Sequence, residues 1–169
     1  MKRSLFLIGM PYVGKSHWGK LLAGHNNVPF TDLDDFIEQT AGRTIPDIFS
    51  QSGEDIFRAL EHQCLKNLLT TETTPQIVAC GGGTPCFFNN MDIMKQHGTV
   101  VWLNASIPYL LKNATSDTTT RPLIAQNEDP ATRLEQLLLS RKDYYSRAHH
   151  ILQVEDISLT TFDKILRHV

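Results

Sequence analysis

Gly9-Met10-Pro11-Tyr12-Val13-Gly14-Lys15-Ser16 fits the pattern G-x-x-x-x-G-K-[ST]. It follows an apolar run, Leu5 to Ile8, and opens a segment, Lys15 to Ala23, with Trp18, Leu21 and Leu22 at helical spacing. A strand, a glycine loop and a helix in that order turn backbone N–H groups toward an anion, and the helix N-terminus adds partial positive charge. The stretch therefore predicts a cradle for nucleotide phosphates, lined by Pro11, Tyr12, Val13, Gly14, Lys15, Ser16 and His17. Lys15 is placed to bridge the β- and γ-phosphates, and the Ser16 hydroxyl to ligate Mg²⁺.

Outward from this loop, short apolar runs alternate with longer helical segments. The strand candidates are Leu5 to Ile8, Val28 to Thr31, Gln76 to Cys80, Thr99 to Asn104 and His150 to Val154. The further helix candidates are Leu33 to Thr40 before Gly42, Glu54 to Leu69 with Ile56, Leu60, Cys64 and Leu68 on one stripe, Pro130 to Ser146, and Leu159 to His168. Strand and helix in alternation predict a mainly parallel sheet in a three-layer αβα fold. The 169 residues read as a single domain without repeat or linker. Its one long irregular stretch, about 113–129, is expected to be a mobile lid.

Composition narrows the function. Lys+Arg 16 against Asp+Glu 18 leaves a net charge of −2, which offers nothing to a nucleic acid or an anionic membrane. Cys64, Cys80 and Cys86 are odd in number and lack CxxC spacing, as suits a reducing cytoplasm rather than a disulfide or zinc framework. The start, Met1-Lys2-Arg3 and then Ser4 to Ile8, resembles a signal peptide, but Gly9 and Pro11 break the apolar run. The chain is expected to be cytoplasmic and monomeric, with no leader before the phosphate loop.

Acidic residues follow the second strand candidate as Asp32-Leu33-Asp34-Asp35. Beside the phosphate loop, Asp32 would serve Mg²⁺ through water and Asp34 would face a second substrate; charge at a helix N-terminus explains them equally. The third candidate runs into Gly81-Gly82-Gly83, which is either a tight turn or a place where backbone meets a small ligand. Arg58, with Glu61 three residues on, and Arg141 each read singly as surface residues. Together with Asp34 and the glycines they suit a small polyhydroxy carboxylate. There is no guanine-reading Asn-Lys-x-Asp element.

Over nearly its whole length the chain resembles shikimate kinase. The matching residues are Gly9–Ser16, Asp32-x-Asp34, Phe57-Arg58 with Glu61, Gly81-Gly82-Gly83, Arg121-Pro122-Leu123, and Arg141 followed by Tyr145. The resemblance implies a nucleoside-monophosphate-kinase-like fold with a five-stranded parallel sheet. It also implies transfer of the ATP γ-phosphoryl group to the 3-hydroxyl of shikimate, on the route to aromatic amino acids. By the same likeness Arg58 and Arg141 grip the substrate carboxylate, Asp34 its hydroxyls, and Gly81, Gly82 and Gly83 meet it through backbone. Arg121 reaches the ATP phosphates from the lid, Ser16 and Asp32 serve Mg²⁺, and Lys15, Asp34 and Arg121 form the catalytic set. The sequence departs from that pattern where Tyr12 occupies the middle glycine of the loop, and where Ala114 to Thr120 and Glu155 to Ser158 carry no arginine.

Overall fold

The computed structural model describes residues 3–71, 74–116 and 129–166. Five strands, β1 (Ser4–Ile8), β2 (Phe30–Asp32), β3 (Ile77–Ala79), β4 (Gly98–Asn104) and β5 (His150–Gln153), form one sheet in the order β2-β3-β1-β4-β5. Every pairing is parallel, with Leu7 opposite Ala79 on one side of β1 and opposite Val101 on the other. The β-branched and leucine-rich composition of β1, β3 and β4 reflects this central position: Leu5, Phe6, Leu7, Ile8, Val100 and Val101 are wholly buried. Strand β5 lies at the edge and keeps His150, Ile151 and Gln153 exposed.

Seven α-helices are described: α1 (Lys15–Asn26), α2 (Leu33–Ala41), α3 (Ile45–Thr71), α4 (Asn90–His97), α5 (Ile107–Ser116), α6 (Pro130–Tyr145) and α7 (Leu159–Leu166). The chain steps one way from β1 to β2 and back the other way from β2 to β3. Right-handed crossovers therefore put helices on both faces of the sheet. On one face α1 and α7 meet through Trp18 and Phe162, ring centroids 5.6 Å apart. The strand order reverses direction at β1, so the loop leaving it opens at the sheet's switch point, where α/β folds bind ligands.

The expected strands are all present, each displaced by no more than two residues at either end. The helices needed more correction. The segment expected over Glu54 to Leu69 is the longer α3, bent at Gly53, whose φ of 79° and ψ of 174° break the helix into two legs. Its buried stripe is Phe57, Arg58, Glu61, Cys64, Leu65 and Leu68, whereas Ile56 is 56% exposed. A strict four-residue step drifts around a 3.6-residue helix, which carries Ile56 off the face shared by Cys64 and Leu68. Helices α4 and α5 were not expected. The first is short and largely polar, and the second carries Pro108 in its first turn. Asn113 to Ser116, read as the start of the lid, complete α5, and Asp129 caps α6 by accepting from the Thr132 N–H at 3.0 Å. The rest of that stretch, 117–128, lies outside the described residues, and with it Arg121.

Candidate active site

The loop between β1 and α1 is shaped by backbone constraints. Gly9 has φ 142°, and a Cβ there would stand 2.3 Å from the Leu103 carbonyl oxygen of β4. Gly14, at φ 92°, precedes α1 and offers no side chain to cap it. The first-turn N–H groups of α1 thus face the loop's interior, the arrangement that receives phosphate. Lys15 is buried, and its Nζ donates to the Gly9 and Met10 carbonyls at 3.1 and 2.9 Å. Its charge is thereby folded back across the mouth of the loop. Tyr12, in the place of the family's glycine, has φ 64°. A side chain in this left-handed region costs about 1–2 kcal/mol relative to glycine, so the loop carries strain that a glycine would not.

The acidic pair sits beside this loop. The Ser16 hydroxyl donates to Asp32 Oδ2 at 2.5 Å, and Asp32 Oδ1 accepts the Asp34 N–H at 3.1 Å, which caps α2. Asp32 is thus a helix cap and at the same time a neighbour of the loop serine. Asp35, next along, has its carboxyl pushed up, first by burial and then by the nearby Asp32 charge. Ser16 and Asp32 offer hard oxygen donors side by side, a set that fits Mg²⁺.

The glycine run is a turn, closed by the Thr84 N–H on the Gly81 carbonyl at 3.1 Å, and it is also closely approached by side chains. A Cβ on Gly81 would stand 2.8 Å from Asp34 Oδ1, one on Gly82 3.0 Å from Arg141 Nη1, and one on Gly83 2.6 Å from Arg58 Nη2. Three side chains proposed for one ligand thus converge on three successive residues. Arg58 is 8% exposed, donates from Nη1 to Glu61 Oε2 at 2.9 Å, and is bracketed by the Phe57 and Phe87 rings, 4.9 and 4.4 Å away. Its Nε and Nη2 share Glu54 Oε1 at 3.2 and 3.1 Å. Glu61, wholly buried, also accepts from the Thr84 hydroxyl at 2.5 Å, so its charge is held by two donors. Tyr145 donates its hydroxyl to the Gly82 carbonyl at 2.5 Å, and burial pushes its phenol well above the ordinary range, keeping it a donor.

A cavity of about 230 Å³ joins these parts, lined by Lys15, Ser16 and His17 of the first turn of α1 together with Asp32, Asp34 and Gly82. Cys80 is also in its wall; burial raises its thiol far above neutrality, so it is an inert apolar surface rather than a nucleophile. Cys86, near both arginines, is pushed up to about 11 by burial despite them. Arg58 and Arg141 are outside this lining, set against Gly83 and Gly82 respectively. Reading the sequence missed Thr84, which steadies Glu61, and Asn113, which stands in the cavity wall. Neither carries a motif; only the fold brings them to the site.

The family sequence model for shikimate kinase matches residues 11–169. The chain belongs to the shikimate kinase family. A shikimate kinase of Sulfurihydrogenibium is 38% identical over 147 residues, 87% of this chain and 85% of the relative. The solved shikimate kinase of Bacteroides thetaiotaomicron superposes with a TM-score of 0.88 at 29% identity, covering 98% of both chains. That of Acinetobacter baumannii, in complex with shikimate, gives 0.86 at 32% identity over 98% of this chain and 92% of its own. As a shikimate kinase the chain is a phosphotransferase that phosphorylates shikimate with ATP, in aromatic amino acid biosynthesis. No helix among its described residues is long and apolar enough to cross a membrane.

Proposed function

We propose that the cavity works as a two-ended transfer site, ATP phosphates on the β1–α1 loop and shikimate between Asp34 and the glycine run. The observation that carries this is the convergence of Asp34, Arg141 and Arg58 on Gly81, Gly82 and Gly83, beside the cavity that Lys15, Asp34 and Gly82 line together. Arg58 and Arg141 hold the substrate carboxylate, a task for which planar guanidinium groups are suited by paired N–H donors. A Cβ on Gly81 or Gly83 would crowd Asp34 or Arg58, so glycine at these positions leaves both side chains their places beside the substrate. Asp34 accepts from the substrate hydroxyls, orients the 3-hydroxyl toward the γ-phosphorus and receives its proton as the bond forms.

Transfer is direct and in line, without a covalent enzyme intermediate, so positioning and charge neutralisation supply most of the rate. Lys15 exchanges its two loop carbonyls for phosphate oxygens when nucleotide enters. Arg121 is assigned the same duty from the segment outside the described residues. Ser16 and Asp32 are the residues that would hold Mg²⁺, which supplies charge neutralisation on the β- and γ-phosphate oxygens when bound. The exclusion of water and the suppression of idle ATP hydrolysis are assigned to the remainder of the expected lid, 117–128, outside the described residues. On this reading the enzyme is a cytoplasmic monomer acting on diffusing small molecules.

The test is Asp34→Asn, which keeps shape and removes charge and proton acceptance. It is expected to lower kcat by on the order of a hundredfold, with the KM for ATP within about twofold of wild type. Unchanged kcat and unchanged KM for shikimate would remove Asp34 from the site.

A further inference from the structure

Asn113 Nδ2 donates to the Tyr12 carbonyl oxygen at 2.9 Å. Tyr12 is the third residue of the turn Met10–Val13, closed by the Val13 N–H on the Met10 carbonyl at 3.4 Å. Pro11 at the second position supplies the φ that a type II turn needs, and the third position, with positive φ, is ordinarily glycine. The Tyr12–Val13 peptide is thus held at both ends, its oxygen by Asn113 and its N–H by Met10. Asn113 is half-buried on α5 and stands in the wall of the phosphate cavity. Tyr12 also lines a narrow apolar crevice with Leu111 and Ala114 of α5 and Leu134 and Leu137 of α6. Helix α5 therefore engages the carbonyl of the residue whose backbone resists the turn and shares a crevice with it.

We propose that Asn113 is a positioning residue for the nucleotide, its amide clamping the Tyr12 turn in the form that aims the loop's N–H groups at the phosphates. It touches no reacting atom. A loop with glycine in this place needs no clamp, because glycine enters the left-handed region freely. Here the clamp substitutes for the missing glycine. The proposal rests on reading Gly9–Ser16 as the phosphate cradle.

The experiment is a double-mutant cycle on the full chain, with Mg·ATP and shikimate binding measured separately by calorimetry. Asn113→Ala is expected to weaken Mg·ATP binding about fivefold and to leave shikimate binding within about twofold. In a Tyr12→Gly background the same change is expected to cost less than about twofold, since glycine removes the need for the clamp. Equal losses in both backgrounds would overturn the proposal, pointing instead to a direct contact with nucleotide. It is overturned too by no loss for Asn113→Ala alone, or by a parallel fall in shikimate affinity and thermal midpoint. A Lys15→Ala control separates the two levels: full transfer by that variant brings down the cradle and the clamp together. A Lys15→Ala variant without transfer beside a neutral Asn113→Ala brings down the clamp alone.

Discussion

A Lys15→Ala variant is expected to keep its fold and to lose on the order of a thousandfold in kcat. Lys15 is a buried cation whose Nζ is held by two carbonyls of its own loop, Gly9 at 3.1 Å and Met10 at 2.9 Å. Those are weak partners for an ammonium compared with phosphate oxygens, so the exchange on nucleotide entry favours the bound state. As the γ-phosphoryl group moves, negative charge shifts toward the bridging oxygen, and a fixed cation there stabilises the transition state more than the ground state. Lys15 itself lines a cavity that admits water, so water is expected to replace its ammonium at the two carbonyls after truncation. A Lys15→Met variant, which retains the stem's packing, is the companion control. Near-full kcat in either variant removes Lys15 from the mechanism.

The second large effect is on shikimate. Arg58→Lys keeps a positive charge beside Glu61 but removes the planar fork. Losing one charge-assisted hydrogen bond to a carboxylate corresponds to about 1.5–3 kcal/mol, or roughly a ten- to hundredfold rise in KM for shikimate. The KM for ATP is expected to stay within about twofold. Arg58→Ala should weaken shikimate at least as far, but with a second consequence. Glu61 has no exposure to water, and without the arginine it retains only the Thr84 hydroxyl among the donors described above. Stripping a buried carboxylate of its partner costs about 3–5 kcal/mol, so the alanine variant should also melt at a lower temperature. The lysine variant separates recognition from stability. Equal losses for ATP and shikimate in Arg58→Lys would contradict the assigned role.

What the chain made legible beforehand follows from how local each signal is. The phosphate loop is contiguous, and its glycines answer to contacts or dihedrals that exclude side chains: Gly9 under the Leu103 carbonyl, Gly14 at φ 92°. The sheet was readable because β1, β3 and β4 are buried on both faces, which leaves unbroken apolar runs. Tyr12 stood out against the family's glycine pattern, and its φ of 64° shows it in the left-handed conformation that a glycine enters freely. Helices α4 and α5 were not visible because their apolar faces are short and a proline opens the second. Ile56 went to the wrong face because a four-residue step was followed too far along α3. Asn113 and Thr84 act through partners about a hundred and about twenty residues away, Tyr12 and Glu61, and no spacing rule encodes such pairs.

The most direct measurement is ADP release from Mg·ATP by the purified chain, with and without shikimate, in a coupled assay. The account predicts a low rate with ATP alone and a strong increase when shikimate is added, because the acceptor completes the site between Asp34 and the glycine run. No stimulation by shikimate, with ATP binding intact, would contradict it.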